Sequence, residues 1–229
     1  MEQAIPEDEN RRKDMKIALG MIVKGSEDEP RYLERCLSHV VDHVDKTFIT
    51  VTGNDEEYKK IKEVVKGKNV VLDRSPEDVY WTATKEAIDW CKEFFGYEPQ
   101  LKEGDRIFCF DKARNHNMDQ IPKEYEWFLW LDVDDVLRNG AKLHEVAEFA
   151  QKNNLDAVYF NYLYQVEVDN GKIKHVIIEH LRERLLRNNG FYKWIAPIHE
   201  TLIEQKPTRK ADDNRCDVVH LTIDERRLA

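Results

Sequence analysis

The chain has little that would staple it, anchor it or address it for export. Its four cysteines, Cys36, Cys91, Cys109 and Cys216, lie far apart and form no C-x-x-C pair. That spacing favours reduced thiols over a disulfide framework or a zinc site. No apolar run is long enough to span a bilayer. The opening "MEQAIPEDENRRKD" is charged throughout and has no signal-peptide core, so residues 1–14 are expected to be a disordered tail and the protein cytoplasmic. Internal repeats and low-complexity segments are absent as well. So is an excess of cations: the formal net charge is −9, and the tail's five acids against three bases leave about −7 on the body. That sign disfavours nonspecific binding to nucleic acid, although an acidic protein can still hold a polyanion through a metal.

What is present is an alternation of strand and helix patterns. "MKIALGMIV" reads as a buried strand, and "EDEPRYLERCLSHVVDHV" follows with Leu33, Cys36, Leu37, Val40 and Val41 at helical spacing behind Pro30. "KTFITVT" and "NVVLD" read as further strands around the helix "NDEEYKKIKEVVKG", which Gly67 stops. Such alternation predicts an α/β domain over 15–229, with a mainly parallel sheet flanked by helices. The order breaks at about 74–106, where "VYWTATKEAIDWCKEFFGYEP" predicts a helical insertion. Beyond it come a helix in "FDKARNHNMDQIP", the strand "EWFLWLDV" and the helix "NGAKLHEVAEFAQKNN". "LDAVYFNYLYQVEV" and "KIKHVIIE" flank Asp169-Asn170-Gly171, a hairpin signal, so a small antiparallel part is expected toward the C-terminus. Thr222 and Glu225 make a capping-box pattern for a helix barely begun, which fits a chain that continues.

The strand "WLDVDDVL" delivers Asp132, Asp134 and Asp135 within four residues. Neighbouring carboxylates repel, and burying part of one is unfavourable unless a cation neutralises it. Ligands in open α/β sheets bind at the carboxyl ends of the strands. Alternation along an extended strand tip would let Asp132 and Asp134 address one oxygen-loving divalent ion, Mg²⁺ or Mn²⁺. The plainer reading is a solvated acidic turn.

Four blocks in order, "IALGMIVKGSED…YLERCLSHVVDHVDKTFITVTG", "FDKARN", "WFLWLDVDDVL" and "RERLLRNNGFYKWIAPIHETL", resemble the signature of family 2 glycosyltransferases of the GT-A fold. The resemblance implies a GT-A, Rossmann-like domain, a nucleotide-sugar donor and a Mn²⁺ or Mg²⁺ ion on a D-x-D motif at Asp132 and Asp134. It also implies inverting sugar transfer, with His199 and Glu200 near the reaction centre. The acceptor, whether saccharide, protein, lipid or modified nucleic acid, is not specified. Relatives carry Asp just before the Thr-Gly that follows the second strand; here Val51 precedes Thr52 and Gly53. The base is then expected to rest on the first strand's backbone around Met21, Val23 and Lys24, with Thr52 beside it.

The chemistry assigns provisional roles to these residues. A divalent ion bridging the phosphates would act as a Lewis acid on the departing diphosphate. Asp134 is the first expected ligand, with Asp132 nearer the ribose or sharing the metal, and His199 and His220 as nitrogen ligands. Arg114 and Asn115 of "KARN" would meet phosphate, or Arg114 would hold Asp132 through its planar fork. Glu200 is the expected general base and Asp135 the reserve. Trp194 would stack on a sugar.

The plainer alternatives are a surface ion pair for Arg114 and a core histidine for His220. His39 and His43 share a helix face without a third zinc ligand. Trp81, Trp90, Phe94 and Phe95 read as core or as an acceptor lid. "LDVDDVL" also looks like the nucleophile motif of haloacid-dehalogenase-like phosphatases, but it lies past mid-chain, and the only later acidic pair, Asp212-Asp213, sits in a polar run. A nonenzymatic nucleotide-sugar-binding module is the third reading.

Overall fold

The computed structural model describes residues 15–96, 99–169 and 172–221. The 1–14 tail, the Asn170-Gly171 turn and the Thr222 and Glu225 capping pattern lie outside them. No helix among the described residues is long and apolar enough to cross a membrane.

The first half is built of β–α units. Strands β1 (Ile17–Val23), β2 (Lys46–Val51) and β3 (Val70–Arg74) pair in parallel, and β6 (Trp127–Trp130) pairs in parallel on the other side of β1. All four residues of β6 are buried, as a central strand covered on both faces requires. Helix α1 (Glu29–Ser38) buries Tyr32, Leu33, Cys36 and Leu37. It stops before Val40 and Val41, where Val40 leaves helical geometry and Val41–His43 forms a short 3₁₀ turn, so the expected longer helix is broken. Helix α2 (Asp55–Val64) opens on a reciprocal capping box between Asn54 and Glu57. Gly53, ahead of it, passes so close to Lys24 that an added Cβ would lie 2.0 Å from that residue's carbonyl oxygen.

The expected insertion begins with a strand. β4 (Tyr80–Thr82) pairs antiparallel with β5 (Arg106–Phe108), and helix α3 (Lys85–Phe95) sits between them, capped by Thr84 and closed by Gly96 at φ 70°. Helix α4 (Phe110–Asp119) packs on the sheet face opposite α1 and α2, and helix α5 (Leu143–Lys152) covers the α1 side. Where α4 crosses β1, an added Cβ at Gly20 would lie 2.7 Å from Asn117 Oδ1, so only glycine permits that approach.

The second half completes an eight-stranded sheet of order β3-β2-β1-β6-β9-β8-β12-β7. β7 is Asp135–Arg138, β8 Ala157–Asp169, β9 Lys172–Arg187 and β12 Lys210–His220. β8 and β9 form the expected hairpin, β9 docks antiparallel on β6, β12 runs parallel to β8, and β7 closes the edge antiparallel to β12. The sheet is thus mixed but mostly parallel, with a separate antiparallel pair of β10 (Tyr192–Ile195) and β11 (Thr201–Glu204) beside α4.

Candidate active site

The strand carrying the acidic cluster ends earlier than its sequence suggests. β6 stops at Trp130, and residues 132–135 form a turn in which the Asp135 N–H donates to the Asp132 carbonyl at 3.1 Å. The Asp132 N–H in turn donates to the Asp135 carboxylate at 3.0 Å. This turn replaces the expected extended tip, and the two acids have different partners, Arg114 for Asp132 and His220 for Asp134.

Asp132 faces Arg114. The α4 guanidinium donates to Asp132 at 2.5 Å and, through Nε, to Glu200 at 2.6 Å. It lies between the rings of Trp130 and Trp194, 4.9 and 5.0 Å from their centroids. Its side chain is only 8% exposed, so these are strong, largely desolvated contacts. Burial by itself would raise the Asp132 carboxyl, but Arg114, with Arg184 and Arg182 beyond it, holds it at about 2. Arg114 thus takes the Asp132-holding role rather than that of a surface ion pair.

Asp135 begins β7 and is wholly buried. Arg184, equally buried on β9, reaches it at 2.9 Å and donates to the Trp130 carbonyl at 3.3 Å. The Tyr162 hydroxyl donates to the other Asp135 oxygen at 3.1 Å. Arg184 also packs over the Trp130 ring at 4.0 Å and the Tyr162 ring at 4.4 Å. The register of β8 and β9 shifts beside Arg184, where Val158 pairs Leu185 and Tyr159 pairs Glu183. Such a bulge re-aims a side chain, here into the site.

Asp134 is the one acid of the turn whose carboxylate has no guanidinium partner among the described contacts, although Arg35 donates to its backbone carbonyl at 3.3 Å. Its neighbour is His220, the last residue of β12, whose Nδ1 lies 3.6 Å from Asp134 and 3.5 Å from Asp135. That buried nitrogen makes no well-formed hydrogen bond. Burial pushes the Asp134 carboxyl up to about 6, with repulsion from Asp132 and Asp135 adding to it and His220 opposing it. Burial lowers His220, but the two carboxylates outweigh it and raise its affinity for a proton. Ligand atoms of Asp134, Asp135 and His220 lie within 4.8 Å of one another. Two carboxylates and an imidazole nitrogen with no donor aimed at it fit a divalent ion of the Mg²⁺ or Mn²⁺ class, the nitrogen favouring Mn²⁺.

The other expected site residues fall into three places. Met21, Val23, Lys24 and Thr52 gather at the carboxyl ends of β1 and β2, where the Thr52 N–H donates to the Val23 carbonyl at 2.8 Å. Asn115 is engaged with β10, donating to the Trp194 carbonyl and accepting from its N–H, both at 2.9 Å. Trp194 is 2% exposed and meets Trp130 edge-on, so it offers no open face for a sugar. His199 is exposed, with φ 55°, and stands outside the carboxylate–imidazole cluster.

Sequence reasoning missed Arg184, Tyr162 and Tyr164. Arg184 carries no local signal, being one of four charged residues in "RERLLR". Trp90 and Phe94, read as core or lid, are exposed and stacked on each other at 4.9 Å. A cavity of about 260 Å³ lies between α4 and β10, lined by Asn115, Met118, Lys123, Phe128 and Tyr192 and apart from the carboxylates.

No protein-family model matches the chain, and no curated protein is significantly similar to it. Among solved structures, S. aureus TarS aligns over 92% of this chain and 37% of its own, at 12% identity and a TM-score of 0.51. S. aureus TarS 1-349 in complex with UDP aligns over 69% of this chain and 37% of its own, at 15% identity and a TM-score of 0.39. The 4-diphosphocytidyl-2C-methyl-D-erythritol synthase of Anaerococcus prevotii aligns over 78% and 73%, at 9% identity and a TM-score of 0.41. The chain thus spans little more than a third of TarS, and the likeness is one of fold, GT-A-like and Rossmann-type.

Proposed function

We propose that the protein is a divalent-ion-dependent, inverting glycosyltransferase of the family 2 type, moving a sugar from a nucleotide-sugar donor to an acceptor hydroxyl. The observation that carries this reading is the acidic turn at the carboxyl end of β6, with Asp134, Asp135 and His220 gathered beside it. Support comes from the GT-A-like fold and from the ordered sequence blocks. The proposal treats 15–229 as one domain with an insertion at about 74–106, working in the cytoplasm.

An ion held by Asp134 and His220, with the buried Asp135 beside them, would neutralise the departing diphosphate. The chain's own residues do the rest. The ends of β1 and β2 hold the base through backbone groups, since Val51 offers no side-chain acceptor. Arg114 fixes Asp132 and Glu200 on either side of one guanidinium, so both carboxylates stay oriented. Glu200 is the better general base, at 12% exposure, because Asp135 is sealed under Arg184 and Tyr162.

Calorimetry of UDP, GDP and their sugars, with and without Mn²⁺, tests the reading. Ion-dependent binding lost in Asp134→Asn is the expected result. Ion-independent binding, or none, would remove the proposal, and binding without sugar transfer or hydrolysis would leave a binding module.

A further inference from the structure

One exposed aromatic surface adjoins the acidic cluster and has no part in the roles above. Tyr164, on β8, is 48% exposed and stacks on His220 with centroids 5.1 Å apart and planes 11° from parallel. His180, exposed on β9, stands 6.0 Å from the same ring and 5.2 Å from Tyr162. The ladder between β8 and β9 is interrupted at this point: Leu163 pairs Glu179 and Gln165 pairs Ile178, leaving Tyr164 as the extra residue. The interruption leaves Tyr164 without a paired residue on β9, as bulges beside binding sites do.

We propose that the open face of Tyr164, backed by His220 and flanked by His180, is the acceptor subsite of this centre and takes a saccharide ring. The inference rests on the sugar-transferring reading above and adds the acceptor class to it. One face of the Tyr164 ring is filled by His220, so the platform is a single ring wide, matching the C–H face of a pyranose. Hydroxyls around such a sugar need donors and acceptors at the platform's edge, and the His180 imidazole, with one nitrogen that donates and one that accepts, supplies both. His220 touches both Tyr164 and the carboxylates, so a single imidazole joins this platform to the proposed ion site. Trp194, the other aromatic candidate for stacking, is closed off.

Saturation-transfer NMR on the full chain, with Mg²⁺ and UDP present, tests this using the methyl glycosides of glucose, galactose and N-acetylglucosamine as probes. Saturation of the ring C–H protons of at least one glycoside is expected. It should weaken by up to about tenfold in Tyr164→Ala, the worth of an aromatic contact, and return in Tyr164→Trp. Circular dichroism checks that both variants fold. No saturation of any glycoside in the wild type, or equal saturation in Tyr164→Ala, overturns the proposal. So does a loss of UDP affinity in Tyr164→Ala, which would move Tyr164 to the donor side. Failure of the parent reading shows separately, as wild-type protein that binds no UDP with either ion.

Discussion

Replacing Arg114 with Met removes the cation shared by Asp132 and Glu200 while keeping an unbranched side chain between Trp130 and Trp194. Asp132 is held at about 2 against an ordinary value of 3.8. A displacement of nearly two units is worth about 2.5 kcal/mol at neutral pH. Glu200, at 12% exposure, loses its partner as well, and stripping one member from a buried ion pair costs about 3–5 kcal/mol. Asp132 is 31% exposed, so water recovers part of this, and a net loss of about 3 kcal/mol is expected. Urea denaturation of the ligand-free protein at pH 7 measures it. The sign of the pH dependence follows from the lowered carboxyl: its contribution is complete above about 4 and is lost as pH falls through about 2. The gap between wild type and variant should therefore narrow below pH 4. The double variant Arg114→Met/Asp132→Asn, which leaves no charge at 132, should recover part of the loss. A penalty below about 1 kcal/mol, or a gap that does not change with acidification, would refute the account of Arg114 as the electrostatic centre of the site.

Glu200→Gln should leave Mn²⁺-dependent UDP affinity nearly unchanged and lower sugar transfer or donor hydrolysis by roughly 10²–10⁴-fold, the usual worth of a positioned base; full activity would move the base elsewhere. His199→Ala should leave ion affinity, read by calorimetry, within about twofold of wild type, because His199 stands outside the carboxylate–imidazole cluster, whereas His220→Ala should weaken it by at least about tenfold. Near-equal affinities for UDP and GDP are expected where Val51 replaces an acidic base contact, and a preference above about 2 kcal/mol would contradict that. Asp134, raised to about 6, and His220, also raised, make the folded state take up protons, so thermal stability without metal should increase as pH falls from 7 toward 5. Saturating Mg²⁺ should flatten this rise, and a flat or opposite profile in its absence would exclude the strained-carboxylate description.

The parts of the fold legible in the sequence are those set by local patterning. β1, α1, β2, α2 and β3 follow from apolar periodicity and from punctuation by Pro30, Asn54 and Gly67, all acting within a few residues. The helix at α3 was legible through its stop at Gly96, whereas its Thr84 cap shows only in the structure. What local pattern cannot specify is which distant strands meet. The docking of β9 on β6, the parallel run of β12 beside β8 and the short edge strand β7 join segments far apart in sequence. The α1 periodicity through Val41 also misled, because Val40 is fully buried in a non-helical conformation that packs as well as a further turn of helix would.

The same distinction explains the site. "WLDVDDVL" announces its charge in the sequence, but which cation answers each acid depends on partners brought in by β9, β12 and α4. Asp132 and Glu200 share Arg114, and Asp135 has Arg184, so two arginines serve three carboxylates. Asp134 has no guanidinium among these pairs and is raised to about 6, while His220 beside it has a nitrogen without a donor or acceptor in proper geometry. The electrostatic deficit is therefore concentrated at one point rather than spread along the turn. A second positive charge from a divalent ion would relieve it there, turning the electrostatic cost of Asp134 into affinity for the ligand whose phosphates that ion attracts. Under the proposed function, an ion would then fall to Asp134 rather than to Asp132, which Arg114 already holds. Calorimetry of Mn²⁺ alone can test this, because Asp134→Asn should abolish binding and Asp132→Asn should weaken it much less. Equal losses in the two variants would mean that both aspartates hold the ion.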